Sequence, residues 1–272
     1  MENNERYEQH LYENEIPWRI GVTSAKHSYI SAHWHESTEI LYFPPGRWNV
    51  ICDGRRYNVS GGDIIVVNSG QIHAVERIEG EESTYCLQIS PEFPCTKHGF
   101  QNHIKNVPEL EMYFENILNE YKTRNKGYEM AAMGNVCMLL SYIRRNFNQA
   151  EFTIDNYTFS RREKIGDIIK FISDNLDKKI TTHTLCTEFY MSESHLCHFF
   201  KSQTGQAVTE YINRLKIEKS KKLLKDTDMS VTEIAMRTGF DDSCYFTRVF
   251  KKYAEKTPLQ YRKQSGQSAD VF

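Results

Sequence analysis

A pattern that occurs twice in the last hundred residues constrains this chain more than any other feature. The later copy, Val231–Pro258, reads VTEIAMRTGFDDSCYFTRVFKKYAEKTP. Val231, Ile234 and Ala235 share one helical face, Gly239 stands where the chain must reverse, and Asp241 or Asp242 can cap a second helix. That second helix has an apolar stripe of Phe246, Val249, Phe250 and Tyr253. Its opposite face shows Ser243, Thr247, Arg248, Lys251 and Lys252. About fifty residues upstream, Leu185–Gly205 reads LCTEFYMSESHLCHFFKSQTG. Leu185 and Cys186 align there with Ile234 and Ala235, and Leu196, Phe199, Phe200 and Lys201 with Phe246, Val249, Phe250 and Lys251; the turn differs by one residue. One such hairpin would read as an ordinary amphipathic pair with a solvated face. Two copies make a structural repeat of helix-turn-helix units.

Between the copies, Val208, Tyr211, Ile212, Leu215, Ile217, Leu223 and Leu224 mark one helical pattern over residues 207–226. Such a helix is roughly 30 Å long at 1.5 Å per residue, close to the ~34 Å of one duplex turn. The spacing therefore suits two recognition helices in successive major-groove segments of double-stranded DNA. In the first unit Ser192 is the expected N-cap with Glu193 in the first turn, and Ser194, His195, His198, Lys201 and Ser202 are the exposed positions. In the second, Ser243, Cys244, Thr247 and Arg248 are the base-reading candidates, Arg248 foremost because a guanidinium can pair with guanine through two bonds. Lys251, Lys252 and Arg262 are phosphate candidates, and Asp242 is assigned to capping. The charge distribution agrees. Residues 161–265 hold 20 Lys/Arg against 14 Asp/Glu, whereas residues 1–160 hold 14 against 21, although the whole chain is only −2.

On these residues, 165–263 resembles the DNA-binding domain of AraC/XylS-family transcription regulators. The MSESHLCHFFKSQTG run, Tyr211-Ile212, Leu223-Leu224, Ile234-Ala235, Gly239-Phe240, Tyr245-Phe246, Phe250–Tyr253, Thr257-Pro258 and Tyr261-Arg262 carry the likeness. Glu255 stands where the family usually has the glycine that ends the recognition helix, and Cys186, Ser220 and Cys244 replace Ala, Ala and Ser.

The first third of the chain has a different period. Short β-rich runs cover Trp18–Thr23, Tyr29–His35, Thr38–Phe43, Trp48–Cys52, Tyr57–Val59, Asp63–Val67, His73–Ile78 and Tyr85–Ile89. Turn signals separate them, Asp53-Gly54 being the best hairpin signal. This spacing predicts a small barrel or jelly roll. Within it, His33, His35 and Glu39 share parity and should face one side of an extended strand; His73 follows later. These positions resemble the two cupin motifs, and cupin-like barrels are common at the amino terminus of this regulator family. In metal-binding cupins the matching positions are the ligands, and three imidazoles with a carboxylate suit a divalent metal. Asn68 for the second motif's proline, Arg77 for its asparagine and His27 for the first motif's glycine depart from the pattern. Three readings stay open for the cluster. It can hold a metal, line the pocket of a small-molecule effector, or satisfy buried hydrogen bonds. The effector reading is preferred, with no metal and no cofactor; Tyr42 and Trp48 are then candidates to stack on a sugar, though each can also be core.

After Pro108 the period becomes helical. Leu110, Phe114, Ile117, Leu118 and Tyr121 form one stripe and Met130, Met133, Cys137, Leu140, Ile143 and Phe147 another. These helices can cover the barrel, pair with a second copy of the chain, or both. Residues 148–163 are polar and aperiodic. The expected organisation is thus α+β with two domains: a loose arm 1–15, a cupin-like sensing barrel 16–95, a helical cover or dimerisation segment 96–148, a linker 149–163, and an all-α DNA-binding domain 164–265. Its helix-turn-helix units fall near 182–204 and 231–254.

Seven cysteines without a C-x-x-C pair read as reduced thiols, MENNERYEQH is too polar for a signal peptide, and no apolar run approaches membrane-spanning length. The expected protein is a cytoplasmic, sequence-specific DNA-binding regulator, not an enzyme and not bound to a membrane. The resemblance implies a homodimer, control by a small-molecule effector with a carbohydrate favoured, and RNA polymerase as a partner if the protein activates. The alternative is a metal-dependent cupin enzyme or metal sensor fused to the DNA-binding module. A third reading is a regulator without an effector, controlled by its abundance.

Overall fold

In a computed structural model, residues 17–22, 29–80, 84–93, 99–147 and 156–267 are described. The expected arm at 1–15, His27 and residues 148–155 of the expected linker lie outside them. The chain divides into two compact units, one ending at Glu163 and the other starting at Lys164.

In the first unit, strands β1 (Trp18–Val22), β8 (Tyr85–Ile89), β3 (Thr38–Tyr42), β6 (Ile64–Val67) and β9 (His103–Ile104) form one sheet in that order. Strands β2 (Tyr29–His33), β7 (His73–Glu79), β4 (Arg47–Cys52) and β5 (Arg55–Ser60) form a second sheet. Every pairing is antiparallel, and β4 and β5 meet through the Asp53-Gly54 turn, whose two residues both have positive φ. The result is a double-sheet jelly-roll arrangement and not one closed barrel.

Its layering follows from the side chains. Leu41, Phe43, Ile65 and Val67 of the larger sheet meet Trp48, Val50, Cys52, Val59 and Val75 of the smaller between the sheets. The other face of the larger sheet, with Ile40, Tyr42, Ile64, Val66, Leu87 and Ile89, packs on helices α1 (Pro108–Thr123) and α2 (Tyr128–Asn146). Strands β3 and β6 are therefore buried on both faces, which is why Ile40–Tyr42 and Ile64–Val67 read as apolar runs and not as alternation. Helix α1 starts at a proline in its first turn and ends at Arg124 in a left-handed conformation. The helices thus cover the sheet with Leu110, Phe114, Ile117, Val136, Leu139 and Ile143.

Two expected boundaries shift. Strand β9 falls in the stretch expected to be helical cover; two residues are too few to show a period. The expected linker is helical from Asn156 onward, because α3 spans Asn156–Asp174 and carries the start of the next unit's core.

The second unit continues with α4 (Thr182–Glu188), α5 (Glu193–Thr204), α6 (Val208–Asp226), α7 (Val231–Arg237), α8 (Ser243–Ala254) and α9 (Pro258–Gln267). Each short helix begins at a side-chain cap: Thr181 on α4, Ser192 on α5, Ser230 with Glu233 in a capping box on α7, and Asp242 on α8. The repeat is visible in the backbone. Tyr190 and Gly239 occupy the same left-handed turn position (φ 52° and 68°), and Gly205 and Glu255 the same helix end (φ 77° and 58°).

Candidate nucleic-acid interface and ligand site

Helices α5 and α8 each bury one stripe and expose the other. Leu196, Phe199 and Phe200 are buried on α5; Phe246, Val249 and Phe250 are buried on α8. Opposite them, Ser194, His195, His198 and Lys201 are exposed on α5, and Cys244, Arg248, Lys251 and Lys252 on α8. Ser202, Ser243 and Thr247 are half-buried. The Ser202 hydroxyl donates to the Phe199 carbonyl at 2.7 Å and accepts from Gln203 Nε2 at 3.1 Å, while that of Thr247 donates to the Ser243 carbonyl at 2.8 Å and keeps its acceptor capacity. Arg248 lies 5.2 Å from the Tyr245 ring centroid, an arrangement that orients the guanidinium while leaving its edge open. Tyr245, exposed beside it, was not legible as part of this face. Asp242 accepts from the Tyr245 amide at 2.6 Å and is occupied as a cap, while Asp241 pairs with Lys179 at 2.5 Å.

One phosphate candidate is already engaged within the unit. The Arg262 guanidinium donates to the Leu224 carbonyl at 3.4 Å and to the Met229 carbonyl. It closes the carboxyl end of α6 and the loop that follows, where helix carbonyls lack intrahelical partners. A residue the sequence hid is Lys216, which is only 4% exposed. Its Nζ donates to the carbonyls of Lys178 at 2.9 Å and Gly239 at 2.6 Å, tying the carboxyl end of the α3 segment to the second turn. Burial lowers its pKa to about 8. The signal was present: Ile212, Lys216, Ser220 and Leu224 recur every fourth residue along the buried stripe of α6.

In the double-sheet unit, His33 ends β2, His35 follows it, Glu39 lies near the start of β3 and His73 opens β7. All four are buried, and one ligand atom from each lies within 4.8 Å of the others. Each histidine has Nδ1 against a backbone carbonyl two residues away: His33 on Ser31 at 2.9 Å, His35 on Ser37 at 3.0 Å and His73 on Gln71 at 3.0 Å. That contact assigns the proton to Nδ1 and turns Nε2 toward the cluster, the orienting device that metal-site imidazoles use. Glu39 Oε2 lies 2.7 Å from His35 Nε2 and 3.6 Å from His73 Nε2, and accepts from Gln88 Nε2 at 3.1 Å. Both nitrogens of His35 thus face acceptors, which positive charge at Nε2, a proton or a cation, satisfies. Burial pushes His33 well below its usual range, aided by His73 and His35. Burial alone would raise Glu39, but hydrogen bonds and charge from His35 and His73 hold it well below the usual carboxylate range.

Tyr42 and Trp48 are not brought to this cluster. Tyr42 points to the helix-covered face, donates to the Glu111 carboxylate and stacks on Phe114 at 5.6 Å. Trp48 is 2% exposed and packs against Phe43 between the sheets. Both are core, and no stacking platform for a sugar is formed by them.

A model of the AraC-like ligand binding domain matches residues 17–94, and a helix-turn-helix domain model matches 185–264. The chain belongs to the AraC family of transcription regulators. It is 25% identical over 265 residues, 91% of either chain, to "Uncharacterized HTH-type transcriptional regulator YdeC" of Bacillus subtilis. It is 24% identical over 250 residues, covering 87% of this chain and 88% of the relative, to "HTH-type transcriptional activator RhaR" of Enterobacter sp.. Among solved structures, the C-terminal domain of the response regulator yesN from Fusobacterium nucleatum is 34% identical; the match covers 38% of this chain and 98% of that one, with a TM-score of 0.35. Within this family the second unit is the DNA-binding domain and the first the ligand-binding domain, so the chain is a DNA-binding transcription regulator. Among the described residues no helix is long and apolar enough to cross a membrane.

Proposed function

We propose that the first unit is the sensor of an effector-controlled regulator and that its ligand engages His33, His35, Glu39 and His73. The observation that carries this is the convergence of three Nε2 atoms and one carboxylate in a buried place, each histidine oriented by a backbone carbonyl two residues away. Two ligand classes suit these donors. Hydroxyls of a carbohydrate or another small polar molecule can bond to the imidazoles and the carboxylate. A divalent transition cation suits the same set, as the geometry of His35 favours; three nitrogens and one oxygen would hold it. Regulator and not enzyme is the reading that the relatives' names support.

Ser194, His195, His198, Ser243, Cys244, Thr247 and Arg248 are proposed to read bases, with Lys201, Lys251 and Lys252 on phosphates. The protein acts in the cytoplasm as a homodimer and touches RNA polymerase where it activates. Pairing is supported by Met112, Met130 and Met138, which stay exposed on α1 and α2 while the opposite stripe covers the sheet. The test is metal analysis of the full-length protein beside a His33→Ala/His35→Ala variant, followed by thermal-shift screening. Near one equivalent of metal, lost in the variant, establishes the cation. An empty cluster in protein that still binds DNA directs the search to sugars, where a ligand at a hundred times its Kd adds about 2.7 kcal/mol to stability. Absence of both metal and any stabilising ligand would defeat the sensor reading.

A further inference from the structure

We propose that the ion pair between Arg162 and Asp53 is a latch through which helix α3 responds to the state of the histidine cluster. The proposal rests on the reading of that cluster as the ligand site. Residues 68–72, just before His73, link the two places. His73 Nδ1 is held by the Gln71 carbonyl at 3.0 Å, and Gly70 donates its amide to the His35 carbonyl at 2.9 Å. The Gln71 side chain is locked by the Asn68 amide at 2.8 Å and by Asn102 Nδ2 at 2.6 Å, and its own Nε2 donates to Asp53 Oδ2 at 3.0 Å. Asp53 Oδ1 accepts from the Ile72 amide at 3.1 Å, and the Asp53 amide donates to the Ile72 carbonyl at 2.8 Å. Arg162 Nη2 then meets Asp53 Oδ2 at 2.5 Å. A side chain built at Gly70 would lie 4.0 Å from Arg162 Nη1, so the guanidinium lies along this same loop.

The chemistry explains why position 53 carries a charge. Asn and Asp serve a turn before glycine equally well. Only the carboxylate gives the guanidinium a full counter-charge, in a pair whose side chains are 11% and 24% exposed. Separating such a pair costs more than breaking a surface one, because each charge is left partly desolvated. Helix α3 makes the pair consequential. It runs without a break from Asn156 to Asp174, and beyond Glu163 the same helix buries Ile165, Ile168, Ile169 and Ile172 in the DNA-binding unit. A ligand that grips His73 Nε2 pulls on a ring tied by its other nitrogen to Gln71, and Gln71 and Ile72 hold the carboxylate that Arg162 needs. Ligand and latch are then coupled, and the coupling must be reciprocal.

The test is amide hydrogen exchange on the full-length protein, comparing wild type with Arg162→Ala, Asp53→Asn, His73→Ala and the Arg162→Ala/His73→Ala double variant. Asp53→Asn preserves the turn and one of the two acceptors for Gln71 and Ile72 while removing the counter-charge, so its agreement with Arg162→Ala isolates the pair. The expected result is faster exchange in 68–72 for both latch variants, faster exchange in 157–163 for His73→Ala, and a double variant no faster than the faster single. Unchanged exchange in 157–163 for His73→Ala, or in 68–72 for both Arg162→Ala and Asp53→Asn, would overturn the latch. Cobalt(II) titration followed by visible absorbance separates the latch from the ligand reading. If the ion binds wild type, the latch requires roughly a 5-fold or larger change in affinity in Asp53→Asn. Equal affinity overturns it. If the ion does not bind, the cation reading fails, and coupled exchange still upholds the latch.

Discussion

The two left-handed positions of each repeat divide the labour between glycine and ordinary residues. Gly239 cannot be replaced: a Cβ there would stand 2.3 Å from the Lys178 carbonyl and 2.5 Å from Lys216 Nζ. Tyr190 holds the equivalent turn in the first helix-turn-helix and is 96% exposed, so only the backbone is strained. Glu255 is the same kind of compromise at a helix end, where the family usually has glycine. A non-glycine residue in that conformation costs roughly 1 kcal/mol, so Glu255→Gly should stabilise the DNA-binding unit by up to about that amount, read as a raised Tm. Lys216 supplies a pH signature. Burial puts its folded pKa near 8, below the unfolded value, so the unfolded state binds more protons between about 8 and 10.4. Its contribution is therefore least favourable below pH 8 and improves as pH rises through that window, by at most about 1.4 kcal/mol per pH unit. Denaturation from pH 7.5 to 10 should show wild type gaining relative to Lys216→Met over this range. Parallel curves would mean that the ammonium titrates normally.

At the level of elements, the paired reading helices were legible because a buried stripe at helical spacing defines the exposed one by exclusion. That logic placed Ser194, His195, His198, Arg248 and Lys251 on the open faces of α5 and α8. It said nothing of Arg262, whose guanidinium is engaged with the end of another helix. Alanine variants separate these roles in binding assays on duplexes selected by the full-length protein. Arg248→Ala should lose about 1–3 kcal/mol at one operator position, whereas equal loss on every sequence would make Arg248 a phosphate contact. Arg262→Ala should lower thermal stability while leaving the salt dependence of binding unchanged, because its guanidinium is engaged with Leu224 and Met229. A salt slope shallower by about one would return Arg262 to the phosphates.

Across the whole molecule, what the sequence alone determined is what short-range chemistry decides. The doubled helix-turn-helix, its caps at Ser192 and Asp242 and the Asp53-Gly54 hairpin follow from period, turn residues and charge; the expected single strand through His33, His35 and Glu39 does not form, because the chain leaves one sheet after His33 and enters the other at Thr38, so their convergence is not a matter of parity. Tertiary structure decided what each face meets. Strand β3 is buried on both faces, so alternation could not show that Leu41 points between the sheets while Tyr42 turns to α1. Residues 156–163 are polar, so local pattern could not show that α3 already runs through them. Lys216 is a cation in a stripe of otherwise uncharged residues, and only the carbonyls of Lys178 and Gly239, 38 and 23 residues away, make its burial tolerable. In each case the deciding partner is distant in sequence, and a periodicity carries no information about partners that far along the chain.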